Sequence, residues 1–153
     1  MDDPMRHRLE AICERLRSRF GEDLLGVALF GSQARGDARP DSDLDILVLA
    51  RALEPTSSKR HVLLTPPPLP PGPPVSLLLL TPEEFLADVR PIDLDVALDA
   101  RVLFERHAFL TTHLGRLRAL IEEAGLYRTA RLFWRWKTPP VPDWAITWNG
   151  VRR

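Results

Sequence analysis

The sequence predicts an α/β domain of the α+β kind, a small mixed sheet with helices mainly on one face. Three observations predict it. Apolar runs at 24–30, 46–49 and 75–80 have the length of buried strands and are bounded by turn-forming residues. Amphipathic stretches with helical spacing lie before and after them, at 5–20 and 107–124. The chain has 153 residues, 44% of them apolar, enough for one core in a single domain over 1–125 with a different kind of tail over 126–153.

Taken in order, Met5, Leu9, Ile12, Leu16 and Phe20 form one helical stripe, and Gly21 stands where the helix would stop. Cys13 lies beside that stripe with no His or Asp placed to activate it, and reads as a small helix residue. A first strand over 24–30 leads to Gly31-Ser32, and residues 33–37 are expected to form a short helical turn. A second strand covers about 45–51. A short helix over 57–64 follows, then seven prolines in the nine positions 66–74, which exclude helix and interior strand. That segment reads as a stiff connector, with a docking site for a proline-binding module as the alternative.

Val75–Leu80 resumes as a buried strand, and Thr81-Pro82-Glu83-Glu84 starts a helix with a threonine cap, proline at the first position and acids in the first turn. Ile92-Asp93-Leu94-Asp95-Val96-Ala97-Leu98 alternates apolar with polar and predicts a strand with Asp93 and Asp95 on its polar face. Val102–Phe104 predicts a last short strand, and Leu110, Leu114, Leu117 and Ile121 a second sheet-covering helix ending at Gly125. The tail interleaves Arg128, Arg131, Arg135 and Lys137 with Tyr127, Phe133, Trp134 and Trp136. It either packs on the domain or a partner chain, or stacks on bases and holds phosphates.

The formal net charge is zero, so the chain has no overall attraction for nucleic acid or an anionic membrane, and a nucleic-acid acceptor is the less favoured partner. The first residues are charged rather than an apolar export signal, the apolar runs are too short to span a bilayer, and a cytoplasmic protein is expected. One cysteine cannot form an internal disulfide, and no histidine is spaced for a zinc site.

The chemistry is concentrated in Phe30–Val48. Gly31 accepts backbone angles closed to other residues and lets a ligand approach the main chain, and Ser32 adds a hydroxyl and an N–H at the same place. Asp43 and Asp45 stand two apart at the entrance of a strand, a spacing that sends both carboxylates from one face. Hard oxygen donors side by side suit Mg²⁺, which takes one or two protein carboxylates together with substrate phosphates. The combination reads as a site for a metal-bound nucleoside triphosphate, with ATP as the default nucleotide. Arg35 either contacts the triphosphate or pairs with Asp37 or Asp41.

The stretch Gly31-Ser32, Ala34-Arg35-Gly36 and Ser42-Asp43-Leu44-Asp45, followed by Ile46-Leu47-Val48, resembles the signature of the polymerase-beta-like nucleotidyltransferases, and most of all their minimal stand-alone members. The resemblance implies that fold and a third acid on a neighbouring strand; the surroundings of Asp95 favour it over Asp93, which strand parity cannot separate from it. It also implies two Mg²⁺ ions held by Asp43, Asp45 and Asp95, phosphates held by Gly31 and Ser32, and transfer of a nucleoside monophosphate to an acceptor hydroxyl with release of pyrophosphate. Minimal members often act beside a small helical HEPN-type protein, as the antitoxin that adds AMP to its toxin. The alternatives are a non-catalytic module that sequesters a partner and a transferase acting on a small molecule of aminoglycoside type.

Overall fold

Leu24–Phe30 carries apolar side chains or glycine at every position, and such a run is stable only with both of its faces covered. In the computed structural model, which describes residues 3–51, 53 and 68–152, it forms β1 and all seven of its residues are buried. The helix expected over 57–64 and the first two prolines of 66–74 lie outside the described residues.

β1 pairs antiparallel with β2 (Leu44–Ala50) on one side and β4 (Arg101–Glu105) on the other, and β3 (Val75–Leu80) adds parallel to β2. The sheet order is therefore β3-β2-β1-β4. The helix α1 (Asp3–Phe20) lays Leu9, Ile12 and Leu16 over one face, against Leu24, Val27 and Leu29 of β1 and the even-numbered residues of β2. The other face carries the short α3 (Pro82–Ala87), α4 (Pro91–Asp99) and α5 (Phe109–Glu123), packed on Leu25, Ala28, Phe30, Leu47 and Leu49. At Gly26 the sheet and α5 come so close that a Cβ would lie 2.5 Å from Leu110 Cδ1. Cys13 sits in α1, where burial pushes its thiol up to about 11, so it stays protonated and unreactive at neutral pH.

Thr81 caps α3 as its sequence predicts: Glu84 N donates to Thr81 Oγ1 at 3.1 Å and Thr81 N to Glu84 Oε2 at 2.9 Å. The strand expected over 92–98 is instead the helix α4. Its buried residues are Asp93, Leu94, Val96, Ala97 and Asp99, a helical pattern, whereas Leu98, which a strand would bury with Leu94 and Val96, is 44% exposed. The start signal is the one that marks α3, proline at the first position and an acid at the third. Asp93 turns back to accept from Arg90 N at 2.8 Å and pairs with the Arg90 guanidinium, and with only 1% of its surface exposed it is a helix cap.

The tail folds into two hairpins, β5 (Leu126–Arg128) with β6 (Trp134–Trp136) and β7 (Ala145–Thr147) with β8 (Gly150–Arg152). Trp134, Trp144 and Trp148 pack against the α5 side of the core, and the Trp148 ring meets Phe85 at 5.3 Å between centroids. Phe133 remains 61% exposed. Among the described residues no helix is long and apolar enough to cross a membrane.

Replacing Asp93 by alanine removes the α4 cap and its ion pair. The expected loss is about 1–2 kcal/mol in a denaturant titration, with nucleotide binding unchanged; a binding defect without a stability defect would return Asp93 to the site.

Candidate active site

The site is built where β1 ends. Phe30 pairs in register with Asp45 of β2, and the next residue, Gly31, turns the chain at φ +70° into α2 (Gly31–Arg35). A Cβ at Gly31 would lie 2.3 Å from Asp45 Oδ2, so this position needs glycine both for its backbone angle and for the carboxylate beside it. The helical turn begins two residues earlier than expected and ends at Gly36, φ +86°, whose N–H returns to Ser32 O at 2.9 Å. The loop that follows is fastened at Ser42: its hydroxyl accepts from Arg39 N at 2.9 Å and its N–H donates to Arg39 O at 3.0 Å. Asp43 is delivered by that loop, exposed, just before β2.

Asp45 is the single residue of β2 that is not buried. Partial burial raises its pKa above the ordinary carboxylate value, the charge of Asp43 raises it further, and Arg35 pulls weakly the other way. Neither Asp43 nor Asp45 has an ion-pair partner among the described residues. Asp45 lines a cavity of about 500 Å³ together with Gly31, Ser32, Arg35, Asp95 and Asp99. Leu77, Leu78 and Ile92 give this cavity apolar wall, and Ser76, in register beside Asp45 on β3, gives it a hydroxyl.

Because residues 91–99 are helical, Asp95 and Asp99 stand one turn apart on one side of α4 and Asp93 points elsewhere. Arg35 makes the expected ion pair with Asp37, at 3.1 Å, adds one with Asp99 at 2.7 Å, and lines the cavity. Arg128 of β5 enters the same cavity, forks onto Asp99 and also reaches Asp95 at 3.1 Å. Trp134 Nε1 donates to Asp95 Oδ1 at 3.1 Å. Burial alone would raise the pKa of Asp99, but the hydrogen bonds from Arg128 and Arg35 outweigh it and hold the carboxyl below the ordinary value.

Of the residues expected at the site, Gly31, Ser32, Arg35, Asp45 and Asp95 come together around one cavity, and Asp43 stands close enough to act on Asp45 by its charge. Asp99, Arg128 and Trp134 were not expected there. The i, i+4 spacing of Asp95 and Asp99 was a signal for the first of them, but only on a helix; the basic and aromatic mix of the tail left phosphate contacts open without pointing Arg128 and Trp134 to Asp95 and Asp99. Two adjacent carboxylates without a counter-cation, one with a raised pKa, fit one Mg²⁺ completed by phosphate oxygens. Among the described residues no group of three or more His, Cys, Asp or Glu side chains is arranged to hold a metal ion without such help.

The family model for the nucleotidyltransferase domain matches residues 9–111, from α1 to the start of α5. The chain belongs to this family. The nucleotidyltransferase is 30% identical over 128 residues to a Methanocaldococcus jannaschii protein described as a "putative protein adenylyltransferase", covering 80% of this chain and 87% of that one. Its fold is similar to that in the crystal structure of a toxin–antitoxin with AMP-PNP, at TM-score 0.50 and 19% identity, over 74% of this chain and 86% of that one. A mutant of the MntA–HpeT toxin–antitoxin is similar at TM-score 0.52 and 18% identity over the same shares.

The depressed pKa of Asp99 fixes the sign of a pH effect. Its contribution to the stability of the nucleotidyltransferase is complete above the ordinary aspartate value of 3.8 and is lost as pH falls below it. Asp99→Asn should cost about 3 kcal/mol near pH 7, and the gap between variant and wild type in thermal melts should narrow as the pH is lowered through 3.8. A gap that stays constant would mean that the ion pairs with Arg35 and Arg128 contribute nothing.

Proposed function

We propose that this nucleotidyltransferase moves AMP from ATP, with Mg²⁺, onto a hydroxyl of a HEPN-type protein partner and releases pyrophosphate. The observation that carries this is Asp45, a carboxylate without an ion-pair partner among the described residues, in a strand otherwise buried and pressed against a turn at Gly31 whose positive φ other residues adopt only under strain. A charge left unpaired at such a place is a charge reserved for a cation.

Each residue of the cavity then has a task. Asp43 and Asp45 hold the cation with the phosphates. Gly31 and Ser32 offer main-chain N–H and hydroxyl groups to the β and γ phosphates, and Arg35 adds a guanidinium from the same turn. Mg²⁺ held there supplies charge neutralisation for the departing pyrophosphate and a lowered pKa for the acceptor hydroxyl. The acceptor oxygen attacks the α phosphorus, the bond from that phosphorus to the bridging oxygen breaks, and the hydroxyl proton goes to a carboxylate. Asp95 is the group placed for that proton or for a second ion: its Oδ1 is engaged by Arg128 and Trp134, and Oδ2 has no hydrogen bond among the described residues.

The protein acceptor is supported by the relative described as a protein adenylyltransferase. A toxin–antitoxin setting is supported by the two fold neighbours, both toxin–antitoxin proteins, one of which was crystallised with AMP-PNP. The HEPN type comes from the resemblance to the minimal nucleotidyltransferases.

The test uses ATP labelled at the α phosphate, Mg²⁺ and a purified HEPN-type protein as acceptor. Label should appear on that protein, disappear with a chelator, and fall at least about a hundredfold in Asp43→Asn and Asp45→Asn. Asp45→Asn should melt no lower than wild type, since it removes a charge that the fold disfavours. Label on a small-molecule acceptor and none on protein would overturn the choice of acceptor; unchanged transfer in both variants would overturn the metal assignment.

A further inference from the structure

Arg128 lies beyond residues 9–111 that match the family, in the tail whose interleaved basic and aromatic residues left a phosphate-holding role open. Its side chain is nevertheless only 13% exposed and lines the cavity with Gly31, Ser32, Arg35 and Asp45. The β5–β6 hairpin holds it there. Arg128 pairs across that hairpin with Trp134, whose ring packs on the core while its indole N–H reaches Asp95, so guanidinium and indole approach α4 together.

The hydrogen bonds around it are unevenly distributed. Arg128 Nη1 donates to Asp99 Oδ2 at 2.9 Å and to Asp95 Oδ1 at 3.1 Å, and Nη2 donates to Asp99 Oδ1. Arg35 Nη1 also donates to Asp99 Oδ2, at 2.7 Å. One carboxylate therefore takes N–H groups from two guanidiniums, while Asp45 in the same cavity takes none among the described residues. Two cations this close are held together by the anion between them. If Arg128 lets go, Asp99 keeps Arg35 and is not left as a bare buried charge. A planar fork that fits a carboxylate with two parallel bonds fits a phosphate in the same way.

We propose that Arg128 is a phosphate-binding residue for the nucleotide, contributed by the tail, which exchanges its bonds to Asp95 and Asp99 for oxygens of the triphosphate. The inference rests on the nucleotide reading above and deepens it. It makes the tail part of the substrate site, and it links triphosphate entry to the loss of one of the two hydrogen bonds on Asp95 Oδ1, the one from Trp134 remaining.

The experiment is calorimetric titration of full-length wild type, Arg128→Gln and Arg128→Lys with Mg·ATP, Mg·tripolyphosphate and AMP. Arg128→Gln should weaken ATP and tripolyphosphate about ten- to a hundredfold and leave AMP within twofold, as for loss of charge-assisted hydrogen bonds. Arg128→Lys, with the charge but not the fork, should fall between. Equal losses for all three ligands, or none, would overturn the proposal and leave Arg128 as a tie between tail and α4. Failure of wild type to bind Mg·ATP would overturn the nucleotide reading itself, and that is seen before any variant is compared.

Discussion

Register between β1 and β2 is the constraint on which the site depends. Phe30 stands opposite Asp45, and this alone sets the Asp45 carboxylate against the turn at Gly31. Both strands are covered by helices on both faces, so the register is held by every apolar contact along them. A slip of one residue would bring Leu44 or Ile46 to the cavity and drive the carboxylate into the α1 interface. The chemistry of one oxygen is thus secured by packing that extends the length of the sheet.

The charges around the cavity are placed in two opposite ways. Asp45 is left without a counter-ion and its proton is held more tightly than usual, whereas Asp99 is given two guanidiniums and gives up its proton readily. Asp95 and Asp99, one turn apart on α4, would repel one another without Arg128 between them. One carboxylate has no ion-pair partner among the described residues and the other has two, although both are aspartates lining the same space.

Most of the fold was legible because its elements obey their own periods. β1, β3 and the capped start of α3 fall where apolar runs and turn chemistry place them, and α1 and α5 follow their stripes. Residues 92–98 misled because the alternation of Ile92, Leu94, Val96 and Leu98 imitates a strand over a length too short for the helical period to separate. Pro91 and Asp93 carried the better signal. The difference mattered at the site: a strand would have put Asp93 beside Asp95, and the helix puts Asp99 there. Gly31, Ser32, Arg35, Asp43 and Asp45 could be read as one group because they fall within a single stretch of fifteen positions, 31–45. Arg128 and Trp134 were not, since their partners Asp99 and Asp95 lie 29 and 39 positions away and the connecting strands are only three residues long.

The hydrogen bond from Trp134 to Asp95 has an optical consequence. An indole N–H bound to a carboxylate inside a cavity emits differently from one bound to water or to nothing, and the other three tryptophans, Trp136, Trp144 and Trp148, make no such bond to an acid among the described residues. The protein therefore carries its own fluorophore wired to one carboxylate of the site. Whatever engages or releases Asp95 changes the surroundings of that one indole, so the emission of the unlabelled chain is where such an event would be sought.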